Sequence, residues 1–409
     1  VNGDTVLVRQ VHAHRSDLGG MTDNPATASS YVPTTSAAVY LPRVGNHVYN
    51  GSAWVNEGLL LESEARTNLV TSSGDLNGTG WSGGATIGTA IAGSPFGTYH
   101  TFSPTSNSSN TSPAQRFQTG KPLTAGSTYV GWSLVKYSAG SGWLVIRPYD
   151  TVNTGQRAYF DLQNGVVGSK NSLIIDHGMV DYGDGWWLCW ASSNAASTSG
   201  GFVVEVPNGD GVLSCSATDV ALVAGSQFEL GSTPSSYIPT AGATVTRAAE
   251  TLTVPATNLP YNSTNMSIQM DGKMTYADDD NGALPNNQGT SGEVIVYLWK
   301  SANNNHLNTT LVTRASRTGG FAFQQRTPIS IKQVYSDDNA YSAGTNVPFN
   351  LSARYGSTFL NGAHEGTLLT ANTTPTALPD LSATDFSIGY KFMGTIGEFR
   401  MWSDDITDV

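Results

Sequence analysis

Charge is scarce in this 409-residue chain. Asp, Glu, Lys and Arg make up 12% of it, about half the usual ~25%. Lys and Arg total only 20, too few for a coiled coil or helical array, which draws on Ala, Glu, Lys, Leu and Arg. The net charge of −11 argues against nucleic acid and anionic membrane surfaces, which want a basic face. Long apolar runs are missing too. Residues 294–299 form one of the longest, far short of the ~18 residues of a membrane span. No secretory signal is visible at the N-terminus. The chain opens on Val1, so an initiator Met or a longer leading segment is expected to be missing. Cysteine is nearly absent. Cys189 and Cys215 read first as buried free thiols, and their spacing leaves a disulfide open.

Polarity comes instead from hydroxyls and amides. Ser, Thr and Asn number 44, 46 and 29, together 29% of the chain. Glycine reaches 45 of 409 residues, above the usual share of about 7%. Hydrophobic residues at 39% and aromatics at 10% exclude charged disorder. At roughly 100–200 residues per domain, two or three domains are expected.

The dominant pattern is short alternating segments divided by Gly, Asn, Asp, Ser and Pro. Residues 267–276 show it best. Ile268, Met270, Met274 and Tyr276 fall on one face, and Gln269, Asp271, Lys273 and Thr275 on the other. Period 2 marks a half-buried strand. Similar segments are 128–137, 142–149, 157–162, 186–192, 201–206, 293–300, 320–326, 329–335, 349–355 and 394–402. No window of 12 or more residues carries a convincing 3.6 period. Many short strands with frequent turns predict an all-β chain of antiparallel sandwiches. Gln163-Asn164-Gly165 and Leu360-Asn361-Gly362 read as hairpin turns, since Asn-Gly suits positive φ angles. Residues 301–306 read as a longer polar loop.

An eleven-residue stretch occurs twice. Ser29-Ser30-Tyr31-Val32-Pro33-Thr34 returns as Ser235-Ser236-Tyr237-Ile238-Pro239-Thr240, and seven of the eleven positions at 29–39 and 235–245 are identical. Each copy reads as a module exit made rigid by Pro. The resulting division is 1–50 as a linker or the end of a preceding module, 51–254 as a first β-sandwich and 258–409 as a second. Residues 255–265 have linker composition.

Enzymatic and metal motifs are sparse. The acidic clusters Asp278-Asp279-Asp280, Asp337-Asp338 and Asp404-Asp405 sit in turn contexts, where Asp serves local backbone hydrogen bonds. A glycosidase needs two carboxylates about 5–10 Å apart, and nothing in the spacing sets them up. Neither a nucleophile elbow nor a phosphate-binding loop is present, and the seven His are too scattered to compose a Ser/His/Asp set. His12 and His14 form a weak zinc pattern with no third ligand nearby. An EF-hand at 277–288 fails, because its first and twelfth positions are Ala277 and Gln288. A looser oxygen site for Ca²⁺ at 278–281 stays open. No cofactor is otherwise expected.

Aromatic residues carry the binding hypothesis. Trp132, Trp143, Tyr149, Trp186, Trp187 and Trp190 all fall in expected strands of the first sandwich. Alternation sets Trp186, Leu188 and Trp190 against Trp187, Cys189 and Ala191, and one of these faces must pack the core. Each buried aromatic removes ~150–250 Å² from water, worth roughly 4–6 kcal/mol at most, so most are expected in the core. The remainder suit the apolar faces of sugar rings. Trp143, Tyr149 and Trp187 are the platform candidates, with Arg147, Asn153 and Gln156 as partners for sugar hydroxyls.

The segment Gly58-Leu59-Leu60-Leu61-Glu62-Ser63-Glu64-Ala65-Arg66-Thr67-Asn68-Leu69-Val70 resembles the opening of carbohydrate-binding-module-like jelly rolls in bacteriophage virion proteins. Trp81 stands where that family has a following Trp. Asp181-Tyr182-Gly183-Asp184-Gly185-Trp186-Trp187-Leu188-Cys189 resembles its Gly-rich aromatic strand, with Trp187 in place of the family's Tyr. The close of the module is similar to the continuous segment 226–250, from Ser226-Gln227-Phe228-Glu229-Leu230-Gly231 through Ser235-Ser236-Tyr237-Ile238-Pro239-Thr240-Ala241-Gly242 to Thr246-Arg247-Ala248-Ala249-Glu250. The three motifs span 58–250, almost half the chain. Residues 258–409 more loosely resemble concanavalin A-like or laminin G-like sandwiches.

The resemblance implies a virion protein of a bacteriophage: a tail or surface fibre with two tandem sandwiches, on the particle surface, commonly a homotrimer. Its partners would be other virion proteins and a host-surface glycan or receptor, with no catalysis and no membrane insertion. A decoration protein of the head or tail with a purely structural role is one alternative, and a polysaccharide-degrading enzyme is another.

Overall fold

A computed structural model of the protein describes residues 43–105, 113–276, 293–314, 317–375, 377–390 and 392–406. The fold is all-β. Among the described residues every regular element is a strand in antiparallel sheets, apart from one 3-10 turn, Ala256–Asn258. No described helix is long and apolar enough to cross a membrane. His12, His14, the first copy of the repeated stretch and the Asp278-Asp279-Asp280 cluster lie outside the described residues.

The chain forms two compact units, and neither is a single run of sequence. One contains Tyr49–Trp54 and Glu64–Glu250, and the other contains 43–48, Val55–Ser63 and the described chain from Thr251 onward. The expected boundaries, 51–254 and 258–409, therefore differ from the structure at the front. Gly58-Leu59-Leu60-Leu61-Glu62, expected to open the jelly roll, is a strand of the other unit. It pairs with Met393–Trp402 in the register Leu59↔Ile396, Leu60↔Thr395, Leu61↔Gly394, Glu62↔Met393. Gly58 makes this approach possible, for a Cβ there would lie 2.2 Å from the Ile396 carbonyl oxygen and its φ is +102°. The expected linker 255–265 also belongs to the second unit, where Leu259 and Tyr261 pack on its core.

In the first unit a five-stranded sheet runs Val166–Lys170, Ala158–Asp161, Trp143–Asp150, Ser199–Val206, Ala114–Pro122. A seven-stranded sheet faces it, in the order Ile174–Asp181, Trp186–Asn194, Thr128–Ala139, Val220–Leu230, Gly97–Pro104, Ala85–Ile87, with Ile91–Ser94 paired beside Gly97–Pro104. Phe102, Leu144, Ile146, Phe160, Phe202 and Phe228 fill the space between them. Trp187, Cys189 and Ala191 point into this core, while Trp186, Leu188 and Trp190 join Trp132 in a separate apolar cluster. Both faces of that strand are thus packed. Cys189 and Cys215 are buried and form no disulfide.

The lid on the outer cluster is the second copy of the repeated stretch. Tyr237 stacks on Phe96 with ring centroids 4.4 Å apart and meets Trp132 edge-on at 5.7 Å. A buried polar knot pins it down. Glu229 accepts from the Ser235 amide (2.8 Å) and hydroxyl (2.7 Å), Gln227 Oε1 accepts from the Ile238 amide (2.7 Å), and Asn68 Nδ2 donates to the Ile238 carbonyl (2.9 Å). Val245–Arg247 then pairs antiparallel with Arg66–Asn68, so the unit's two ends lie side by side. The motif residues Asn68, Glu229 and Tyr237 are therefore fold-closing groups.

In the second unit the sheets have seven and six strands. The first runs Arg43–Tyr49, Trp54–Glu62, Met393–Trp402, Asn265–Tyr276, Gly344–Gly356, Leu360–His364, Thr367–Leu368. The other runs Leu252–Val254, Phe386–Tyr390, Glu293–Ala302, Asn305–Arg314, Arg317–Thr327, Ser330–Tyr335. Ile268, Met270, Met274 and Tyr276 all face the core, as their alternation predicts. Two turn expectations are corrected. Asn361-Gly362 lies inside a strand, with Ala353↔Gly362 in register, because the missing Cβ makes room for the Phe323 ring. The loop expected at 301–306 is a two-residue turn, and Asn305 and His306 already belong to the next strand.

Leu61 is buried in the second unit's core, although it lies some 190 residues before that unit resumes at Thr251. Leu61→Ala is expected to cost about 2–5 kcal/mol. Hydrogen exchange at Leu307 and Leu311 should accelerate in this variant, while the amides of Phe202 and Val204 keep their protection.

Candidate functional site

In the strand Trp143–Asp150 successive side chains point to opposite faces, although Val145 and Arg147 on the outer side are buried as well. Leu144 and Ile146 enter the core, so Trp143, Val145, Arg147 and Tyr149 lie on the opposite, outer face of the five-stranded sheet. Three of the six residues singled out by sequence, Trp143, Arg147 and Tyr149, therefore share one row. Register places Val203 and Gly201 beside Arg147 and Tyr149 on one side, and sets Val145 between Glu205 and Tyr159. The Trp143 ring lies over Gly168, where a Cβ would come within 2.5 Å of it.

The charge at the centre of this face is shared. Arg147 Nη1 donates to Glu205 Oε1, and Arg147 Nη2 donates to the Thr154 carbonyl. Arg157 Nε donates to Glu205 Oε2 at 3.0 Å and its Nη2 to Oε1 at 3.4 Å. Glu205 is only 1% exposed and Arg147 9%. Two guanidinium groups on one carboxylate satisfy the penalty of burying it. Among the described residues, Arg147 Nε is buried without a hydrogen-bond partner. Burial raises the phenol of Tyr149 above its ordinary 10.0, with the Arg147 charge opposing. Burial likewise raises Tyr159. Both hydroxyls stay neutral donors and acceptors at physiological pH.

The other three candidates are placed elsewhere. Asn153 and Gln156 turn toward Asp150. Its carboxylate accepts from the Val152 amide (2.8 Å), the Asn153 amide (3.0 Å), Asn153 Nδ2 (3.2 Å), Gln156 Nε2 (3.4 Å) and the Ala196 amide (3.1 Å). They build the loop that supplies Thr154 to Arg147. Trp187 belongs to the seven-stranded sheet, and its ring packs against Gly165 at the Gln163-Asn164-Gly165 turn. Sequence reading missed Arg157, Tyr159 and Glu205. Arg157 and Tyr159 alternate with the core residues Ala158 and Phe160, so period 2 carried that signal. The pairing of Glu205 with Arg147 across the sheet carried none.

The face carries the partly exposed rings of Trp143 and Tyr149 and the partly exposed Arg157, with Arg147 and Tyr159 buried between them. That set suits a ligand with apolar faces and many hydroxyls. Among the described residues, no three His, Cys, Asp or Glu side chains gather as a metal site would require.

A scan against protein-family models finds no match, and a search of curated proteins finds none either. Solved structures do resemble the chain. A toad ovary galectin in complex with thio-digalactose is 10% identical, over 38% of this chain and 99% of its own, with a TM-score of 0.26. Domains LG4-5 of the mouse laminin alpha1 chain are 11% identical, over 71% of this chain and 86% of theirs, with a TM-score of 0.27. A GH43 protein from Bacillus licheniformis is 11% identical, over 77% of this chain and 74% of its own, with a TM-score of 0.24. At such identities and TM-scores these are likenesses among all-β folds, and nothing about function rests on them.

Asp150 gives the site a pH dependence. Burial pushes its carboxyl up, but the amides of Ala196, Asn153 and Val152 and the Asn153 side chain outweigh that and hold it below its ordinary 3.8. A depressed carboxyl stabilises the fold fully above the ordinary value, and the contribution is lost as pH falls through the lower folded value. Asp150→Asn is expected to lower the unfolding temperature at pH 7. It should also flatten the loss of stability on acidification below about 4, read by thermal melts across pH.

Proposed function

We propose that this chain is a non-enzymatic virion protein of a bacteriophage, a tail or surface fibre whose first sandwich contacts host-surface glycans. The observation that carries the glycan reading is the outer face of the five-stranded sheet, where Trp143, Tyr149 and Arg147 share one row backed by Glu205 and Arg157. The virion reading draws its support from the three ordered sequence motifs at 58–250. Stacking on Trp143, with hydrogen bonds from guanidinium and phenol groups, is the chemistry a neutral sugar offers. A shallow site of this kind binds weakly alone. Three copies on a trimeric fibre gain avidity through effective concentration without any new contact.

The test is a glycan array and a host-envelope pulldown with the full chain. Trp143→Ala and Tyr149→Ala are each expected to weaken binding roughly tenfold or more, since base-like stacking losses run to ~1–3 kcal/mol. Trp187→Phe should leave it unchanged. Absence of any binding, together with undiminished phage adsorption when the chain lacks the Trp143 ring, would reduce the role to a decoration or scaffold protein. New reducing ends on host polysaccharide would point to the enzyme reading instead.

A further inference from the structure

The Asn-Gly pairs of the sequence carry a chemistry that folding does not use. In such a pair the amide nitrogen of Gly can attack the side-chain carboxamide of Asn, because Gly has no Cβ to block the approach. Five pairs lie among the described residues: Asn50-Gly51, Asn77-Gly78, Asn164-Gly165, Asn208-Gly209 and Asn361-Gly362. In four of them the carboxamide is tied down. Asn50 Oδ1 accepts from the Ser52 amide (3.1 Å) and the Ala53 amide (3.0 Å). Asn77 Oδ1 accepts from Arg116 Nη2 (3.1 Å), and the Gly78 amide donates to the Asp75 carbonyl (2.9 Å). Asn164 Nδ2 donates to Asp161 Oδ2 (2.8 Å). Asn361 is buried in its strand, and its Oδ1 accepts from the Gly362 amide itself (2.9 Å).

Asn208 differs. It is exposed, and its carboxamide makes no hydrogen bond among the described residues. Its backbone amide donates to the Ser214 carbonyl (2.8 Å), which closes the loop 208–214. That loop reaches the five-stranded sheet of the first unit. Asp210 Oδ1 accepts from the Ser169 amide (2.9 Å) and hydroxyl (2.6 Å). Ser169 lies in Val166–Lys170, the edge strand of that sheet, and a side chain that occupies an edge N–H protects the edge. At the neighbouring Gly168 a Cβ would come within 2.5 Å of the Trp143 ring and 3.0 Å of Asp210 Oδ1. Asp210 therefore holds the strip of backbone on which the Trp143 ring rests.

We propose that Asn208 is a self-modification site whose conversion loosens this strip and so slowly switches off the Trp143 face. The Gly209 nitrogen bonds to Asn208 Cγ and gives up its proton, the Cγ–Nδ2 bond breaks, and ammonia leaves. Water then opens the five-membered imide at one of its two carbonyls. No electrons are exchanged, and the balance is one water in and one ammonia out. One opening yields aspartate at position 208. The other yields isoaspartate, which carries the former side-chain carbons in the main chain. Either product places a carboxylate two residues from Asp210, ionised at physiological pH because an ordinary Asp titrates near about 3.9. The isoaspartyl form also lengthens the main chain by one atom inside a loop closed at both ends. The proposal rests on the glycan reading above only for its consequence for binding.

The test ages the full chain in warm, mildly alkaline buffer beside Asn208→Gln, whose longer side chain would need a six-membered ring. Peptide mass mapping is expected to find Asn208 converting ahead of Asn50, Asn77 and Asn164. It should convert at least about tenfold faster than Asn361, which must first open out of its strand. Conversion should quicken as pH rises, since attack needs the amide nitrogen to lose its proton. In the aged natural chain the Ser169 amide is expected to exchange about tenfold faster or more, and glycan binding should fall. Aged Asn208→Gln should keep both. Conversion led by another of the five pairs, or converted Asn208 with unchanged exchange at Ser169, overturns the proposal. A fresh chain that binds no glycan sinks the glycan reading instead, while mass and exchange still decide this one.

Discussion

A chain that leaves one sandwich to build another must come back to where it left. Here that constraint is met by the ribbon of Arg66–Asn68 with Val245–Arg247 and by the buried knot of Asn68, Gln227, Glu229 and Ser235 beside it. The knot sets charged and amide groups at 0–5% exposure, a placement that is tolerable only when the hydrogen bonds are made. Because the ends meet, the strand at Trp54–Glu62 and the strand at Met393–Trp402 can share one sheet although more than 300 residues separate them. The second sandwich is thus completed by sequence that precedes the first.

The same economy of layers decides where binding chemistry can reside. Both sandwiches use the inner faces of their sheets for apolar cores. The first also covers the outer face of its seven-stranded sheet with Phe96, Tyr99 and Tyr237. That cover takes Trp132, Trp186 and Trp190 out of contact with solvent, so most of the chain's tryptophans serve packing. What remains outward in the first sandwich is the five-stranded face, with its shared carboxylate.

Much of the strand layout was legible from alternation alone, because a half-buried strand imposes period 2 on its own sequence. Residues 267–276 and 142–149 show this directly. Asn-Gly proved less reliable as a sign of a turn. At Gln163-Asn164-Gly165 it makes one, whereas Asn361-Gly362 is held in a strand because Phe323 needs the space a Cβ would take. The segment 58–70 read as one opening of the first sandwich, yet Gly58–Glu62 and Arg66–Asn68, only three residues apart, belong to different units. For the site, alternation set Trp143, Arg147 and Tyr149 on one face. It had no means of separating Trp187, whose strand lies in the other sheet, or of finding Glu205.

The sequence by itself determined an all-β, hydroxyl-rich chain with a repeated closing motif, because composition and periodicity are local properties that each strand carries with it. Only the tertiary structure decided which strands share a sheet, which face is left outward and which buried polar atom lacks a partner. Those depend on register between segments far apart in the chain, and no single stretch of sequence encodes a register.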